Sequence, residues 1–403
     1  MENSGKIERS AGILMHISSL PSPFGIGTFG KTAYEFVDFV AQARHRYWQV
    51  LPLGPTTYGD SPYQSYSAFA GNPYFVDLEM LTDDGILDRN IYEDIDWGSG
   101  DYVDYEKVYN NRFTVLHEAY KNYRQKLSES RVKLAAGLPE YKKFDNFNKT
   151  NAYWLDDYAL FMALKWHFNQ KSWQDWDEDI KFRTQKGMQK YKELLADEIG
   201  FWKFVQYEFD KQWKKLKEYA NENNVDIIGD IPIYMGLDSS DVWADAGEFL
   251  LDENLTPVKV AGVPPDAFSE LGQKWGNPLY DWNKMEANGF RWWRARMAHS
   301  AELYDVIRID HFIGIVKYYT IPADMPDARQ GSYEQGPGQK LLDVINEAIG
   351  DKKIISYDVI ILIVIFILLI FIEFERLFRF NFILLVLFMI LRGIKEEIKY
   401  YKK

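Results

Sequence analysis

The chain has no cysteine in its 403 residues. That excludes disulfides, thiolate nucleophiles and cysteine-ligated metals, and it fits a reducing compartment. Positive charge is not in excess either. The formal net charge is −12, so no basic field exists to recruit a nucleic acid, and a neutral partner is expected. No spacing of metal-ligating side chains stands out, and no cofactor is expected. The amino terminus is polar and charged, without an apolar signal-peptide core behind it. A cytoplasmic location is the expectation.

No proline follows Pro337, and beyond Ile355 turn residues almost vanish. Residues 359–372 are all aliphatic or phenylalanine; Glu373, Glu375, Arg376 and Arg379 then interrupt, and residues 382–391 are apolar again. Each run is shorter than the roughly 20 residues that span a bilayer as a helix, so a membrane partner is not expected. The bias toward Ile, Leu, Phe, Lys and Arg reads instead as a segment translated in another frame.

What the chain has in plenty is aromatic rings: 13 Trp, 27 Tyr and 26 Phe. Such faces stack on the apolar faces of pyranose rings, and they also fill large cores. The length suits either one elaborated α/β barrel or two to three domains. Buried-strand runs at 12–16, 48–53, 225–233, 305–310 and 353–358, separated by helical stretches, predict a parallel sheet. The widest gap requires an inserted, mainly helical subdomain at about 75–220. Within it, residues 151–169 and 194–219 carry apolar side chains at three- and four-residue spacing, and Trp154, Trp166, Trp173 and Trp176 are expected to pack rather than bind.

Residues 305–312 form an apolar run that delivers Arg308, Asp310 and His311 at its end. In a parallel barrel the carboxyl ends of strands face the active-site mouth, so Asp310 stands where a nucleophile would. A satisfied Arg–Asp ion pair is the competing reading, and these residues alone leave the choice open. Asp230, at the end of the third strand, could bind a sugar hydroxyl or cap a loop. Two segments rich in turn formers, 53–64 with Tyr58, Asp60, Ser61 and Tyr63, and 262–282 with Trp275 and Asn277, mix hydroxyls, carboxylates, amides and rings. That mixture suits a polyhydroxylated ligand.

Taken together, these segments resemble the amylomaltases, the bacterial 4-α-glucanotransferases also called disproportionating enzymes. The resemblance covers about residues 10–355 and includes residues 12–30 with His16, Ser18, Ser19, Pro21 and Pro23, the 48–74 block and the 151–164 helix. It implies an α/β fold, a (β/α)8 TIM barrel with helical insertions. It further implies retaining double displacement on α-1,4-glucans, with transfer to glucose or maltooligosaccharide acceptors. By that similarity Asp310 is the nucleophile, Arg308 holds its carboxylate ionised, His311 and Asp230 contact the sugar, and Trp275 stacks on the glucan. Tyr58, Asp60, Ser61, Tyr63 and Asn277 would add substrate contacts. A retaining enzyme also needs a second carboxyl group about 5 Å away as acid and base.

Here the sequence departs from the family. The family's Glu-Asp-Leu-Gly at the fifth strand reads Tyr357-Asp358-Val359-Ile360 after Ser356, which puts Tyr357 in the place of the acid/base glutamate. The family's later His-Asp pair and strands six to eight have no counterpart, and Ile313 stands where an arginine is usual. The expected organisation is therefore a barrel truncated after about strand five over residues 1–355, followed by an anomalous tail at 356–403. The expected chemistry is a glucanotransferase with little or no turnover, the alternative being a non-catalytic α-glucan-binding remnant.

Overall fold

The computed structural model describes residues 9–57, 59–133 and 139–356. In chain order the strands are β1 (Gly12–Leu14), β2 (Tyr47–Gln49), β3 (Asp226–Pro232), β4 (Lys259–Val263), β5 (Gln273–Pro278), β6 (Val306–Asp310), β7 (Lys317–Pro322), β8 (Ser332–Gln335) and β9 (Lys353–Ile355). Five of them form one sheet in the order β1-β2-β3-β6-β9, every pairing parallel. Each member lies beside its predecessor, as in the wall of a (β/α) barrel, and all five coincide with runs that the sequence predicts. The fifth run was expected to continue to 358, and Tyr357 and Asp358 lie outside the described residues, as does the tail on which the membrane reading rests.

The central strand shows why these runs read as buried. From Ile227 to Ile231 every residue of β3 is buried, so its sequence is not alternating but continuously apolar except for Gly229 and Asp230. Gly229 is required by contact: a Cβ there would sit 2.1 Å from the Tyr304 ring. The chain can pass that ring only without a side chain.

The second sheet was not expected. Residues 262–282 read as a segment rich in turn formers, but β4 and β5 form an antiparallel pair within a four-stranded sheet of order β5-β4-β7-β8. The run is short, rich in Gly and Pro, and broken by a register shift, so its period is hidden. Gly262 opposes Lys274 while Val260 opposes Pro278, which places Trp275, Gly276 and Asn277 in a bulge. Gly276 takes φ +80° there, a conformation that suits glycine.

Between β2 and β3 the chain is mainly helical, with long helices Tyr105–Lys133, Ala152–His167 and Ala196–Glu222. One hydrophobic cluster runs through these helices and the parallel sheet. Trp154, Trp173 and Trp176 are buried, as expected of packing residues, whereas Trp166 is only partly so. Two glutamines of the Ala196–Glu222 helix hold the segment that follows β2. Gln206 accepts from the Gly71 amide at 2.7 Å and donates to its carbonyl at 2.8 Å; Gln212 does the same for Asp77 at 2.7 and 3.2 Å. A carboxamide is the one neutral side-chain group able to close such a two-bond ring with a peptide. Among the described residues, no helix is long and apolar enough to cross a membrane.

Candidate functional site

Strand register builds the site. Asp230 is the Cα partner of Arg308, and Pro232 that of Asp310, while Arg308 and Asp310 are two residues apart and therefore share a face. The guanidinium of Arg308 spans both acids: Nη1 donates to Asp230 Oδ2, and Nη2 donates to Asp310 Oδ1 at 2.6 Å. Tyr63, from the loop after β2, donates its hydroxyl to the same Asp230 oxygen at 2.7 Å. A planar fork fits two carboxylates at once, which an ammonium cannot reproduce.

The two acids occupy different surroundings. The Asp230 side chain is fully buried, whereas that of Asp310 is 38% exposed. Burial pushes Asp230 up to about 6; the nearby Asp310 charge adds to this, and Tyr63 and Arg308 oppose it. Its other oxygen, Oδ1, is buried without a hydrogen-bond partner. Tyr63 is in turn raised, first by burial and then by its bond to Asp230, so it remains a donor. The outcome is a carboxylate open to solvent, held by a cation that a buried acid and a phenol anchor from behind.

His311 follows directly in a left-handed conformation, φ +54°, which is uncommon for a residue with a side chain and turns the chain away from β6. Its ring meets the Trp275 ring edge-on at 5.0 Å. Burial lowers its pKa against the pull of Asp310. Arg308, Asp310, His311, Asp230, Tyr63 and Trp275 are thus linked by direct contacts. The other expected residues are placed differently. Asn277 is buried and donates to the Met235 carbonyl at 2.9 Å. Ser61 accepts from the Tyr63 amide at 3.3 Å within its own turn. Tyr58 lies outside the described residues.

Asp60 lines another cavity, a cleft of about 920 Å³ shared with Tyr74, Tyr109 and Trp166. Tyr63 and Asp230 instead line a cavity of about 40 Å³. Asp60 is left-handed at φ +55° and raised by burial, with Thr56 opposing. The same cleft holds a pair that the sequence did not single out, Lys165 and Asp238 at 2.6 Å. Only the helical position of Lys165 among apolar residues hinted at its burial.

A 4-alpha-glucanotransferase family profile (glycoside hydrolase family 77) matches residues 15–361. The chain is 51% identical to a 4-alpha-glucanotransferase of Clostridium butyricum over 346 residues, covering 85% of this chain and 68% of that protein. It is 43% identical to a 4-alpha-glucanotransferase of Thermus thermophilus, with coverages of 88% and 68%. Among solved structures, an amylomaltase from Streptococcus agalactiae in complex with acarbose superposes with a TM-score of 0.81 at 40% identity, covering 87% of this chain and 69% of that one. Amylomaltase from Corynebacterium glutamicum, at 18% identity and a TM-score of 0.62, shares the fold, with coverages of 84% and 46%. With its parallel wall, its helical insertion and these matches, the chain belongs to the 4-alpha-glucanotransferase family.

Proposed function

We propose that this chain binds α-1,4-glucans and maltooligosaccharides at the Asp310 site and carries Asp310 as the nucleophile of a retaining double displacement. In this reading the chain itself turns over little or not at all. Arg308 aims the Asp310 carboxylate, Asp230 and His311 contact the sugar being transferred, and Trp275 stacks on the glucan. The observation that carries the reading is the guanidinium fork between Asp230 and Asp310, which leaves Asp310 accessible while fixing its orientation. A carboxylate needs no proton removed before it attacks, so position and charge are its main requirements.

Weak turnover follows from Tyr357. A phenol with an ordinary pKa near 10 is a poor acid for a glycosidic oxygen near pH 7, and loss of general acid catalysis costs about 10² to 10⁴ in rate. An activated donor separates the two claims. With α-maltosyl fluoride, Asp310 attacks the anomeric carbon, the C–F bond breaks and fluoride leaves without needing a proton. Intact-protein mass spectrometry should then show one maltosyl group added to the purified chain, and none on Asp310→Asn. Absence of both the adduct and calorimetric binding of maltoheptaose would sink the site reading. Glucose release from maltotriose at the rate of a working enzyme would overturn the inactivity.

A further inference from the structure

Side chains of β5, the turn after it and the Arg291–Leu303 helix converge on the backbone that leaves β3. Asn277 donates to the Met235 carbonyl at 2.9 Å and Tyr280 donates its hydroxyl to the Ile233 carbonyl at 2.7 Å. Arg296 donates to the carbonyls of both Pro232 and Ile233. All three side chains are buried. Arg296 is also covered by two indoles, with Trp292 and Trp293 at 5.3 and 5.2 Å from its guanidinium. Burying a cation there is costly unless its donors are used, and both Nη1 and Nη2 are spent on main-chain carbonyls next to the site, while Nε is buried without a partner.

The gripped segment carries Tyr234. Its ring stacks on Tyr280 at 5.9 Å and meets Trp275 at 6.3 Å, and Trp275 in turn meets His311 at 5.0 Å. The bulge of β5 holds Trp275 and Asn277 on either side of Gly276, so one short stretch supplies both the indole and one of the clamps.

We propose that Tyr280 and Asn277 are positioning residues for Trp275, acting through the Pro232–Met235 backbone and the Tyr234 ring, with Arg296 as the fixed anchor. This rests on the glucan-binding reading of the site for its consequence, though not for its geometry. It also gives Asn277 a role other than direct contact with substrate.

Two measurements test it. In the chain labelled with 5-fluorotryptophan, the Trp275 resonance is assigned by its loss in Trp275→Phe. Tyr280→Phe should shift that resonance in the absence of ligand, while Tyr219→Phe, which loses a hydroxyl bond to Asp38, should not. In maltoheptaose titrations, Tyr280→Phe should weaken binding about fivefold in the parent chain, the effect of one hydrogen bond. In a Trp275→Phe background it should weaken binding less than about twofold, because coupled residues are not additive. An unmoved Trp275 resonance, or equal weakening in both backgrounds, overturns the proposal. If the parent chain does not bind maltoheptaose, or binding vanishes with Trp275→Phe, the fluorine shift alone decides the positioning role. Failure of the parent to bind defeats the glucan reading instead.

Discussion

Two cation–aspartate pairs in this molecule use the same charges to opposite ends. Lys165 is sealed, with a side chain only 1% exposed, and its ammonium donates to Asp238 at 2.6 Å and to the Gln170 and Lys171 carbonyls at 2.8 and 3.0 Å. All three of its protons are used, so the pair works as a latch between the Ala152–His167 helix and the chain around Asp238. Arg308 also serves two acids, but one of them, Asp310, is left open to solvent. The carboxylates are similarly exposed, 31% for Asp238 and 38% for Asp310, so the difference lies in the cation: Lys165 spends its three donors on one acid and two carbonyls, whereas Arg308 spans two acids.

Lys165→Met tests the latch most severely. It leaves Asp238 and two carbonyls without their donor and should cost about 3 kcal/mol in urea unfolding. An unchanged midpoint would mean that the latch holds nothing. Arg308→Lys probes the other pair. An ammonium cannot fork across both acids, so adduct formation with α-maltosyl fluoride should slow by about 100-fold while the thermal midpoint moves little. A large loss of stability with normal adduct formation would make Arg308 a second latch and erase the contrast.

Asp230 sharpens the comparison through pH. Its folded pKa lies near 6 against an ordinary 3.8, so the folded state binds this proton more tightly than the unfolded one. The stabilising contribution is present below about pH 4 and is lost as pH rises through 6. Asp230→Asn should flatten that fall, which is on the order of 2 kcal/mol, in unfolding free energies measured from pH 4 to 7. An unaltered slope would show that Arg308 and Tyr63 fully compensate burial. The smallest effect belongs to His117, whose two ring nitrogens face the Phe113 carbonyl at 2.8 Å and Glu198 at 3.2 Å. Burial opposes its charge, but these acceptors prevail and raise its pKa above 6.5. Its contribution is complete below pH 6.5 and fades as pH rises through the raised value. Being partly exposed, it should amount to less than about 1 kcal/mol, read as a difference in pH slope between the parent and His117→Gln.

The centre of the parallel wall was legible because β3 is buried from Ile227 to Ile231 and so reads as an apolar run broken only by Gly229 and Asp230. The antiparallel sheet was not, because a bulge and glycines at 262, 272 and 276 erase the two-residue period that would announce β4 and β5. Arg308, Asp310 and His311 could be found because sequence adjacency puts them at one strand end. The resemblance raised Asp310 from an open choice to a named role, and the register of β3 against β6 explains how Asp230 meets Arg308 across 78 residues. Asn277 was ambiguous for a physical reason: a carboxamide two residues from a partly buried indole looks the same in sequence whether it faces a sugar or a backbone carbonyl. The clamping glutamines gave no signal, since their partners are peptide groups with no side-chain signature, and Lys165 gave only the hint of its apolar helix face.

The glutamine rings described for the Ala196–Glu222 helix bear on how this architecture can be shortened. Gln206 and Gln212 satisfy both the amide and the carbonyl of Gly71 and of Asp77, and farther along the same helix Trp213 donates to the Leu303 carbonyl at 3.1 Å. A minimal barrel made by cutting out the helical segment would remove the fixed partners of four backbone groups beside the loop that presents Tyr63 and leave that stretch to water instead of to a defined geometry. The insertion is therefore not a detachable module. Any pared-down descendant would first have to rewrite the backbone between Gly71 and Asp77.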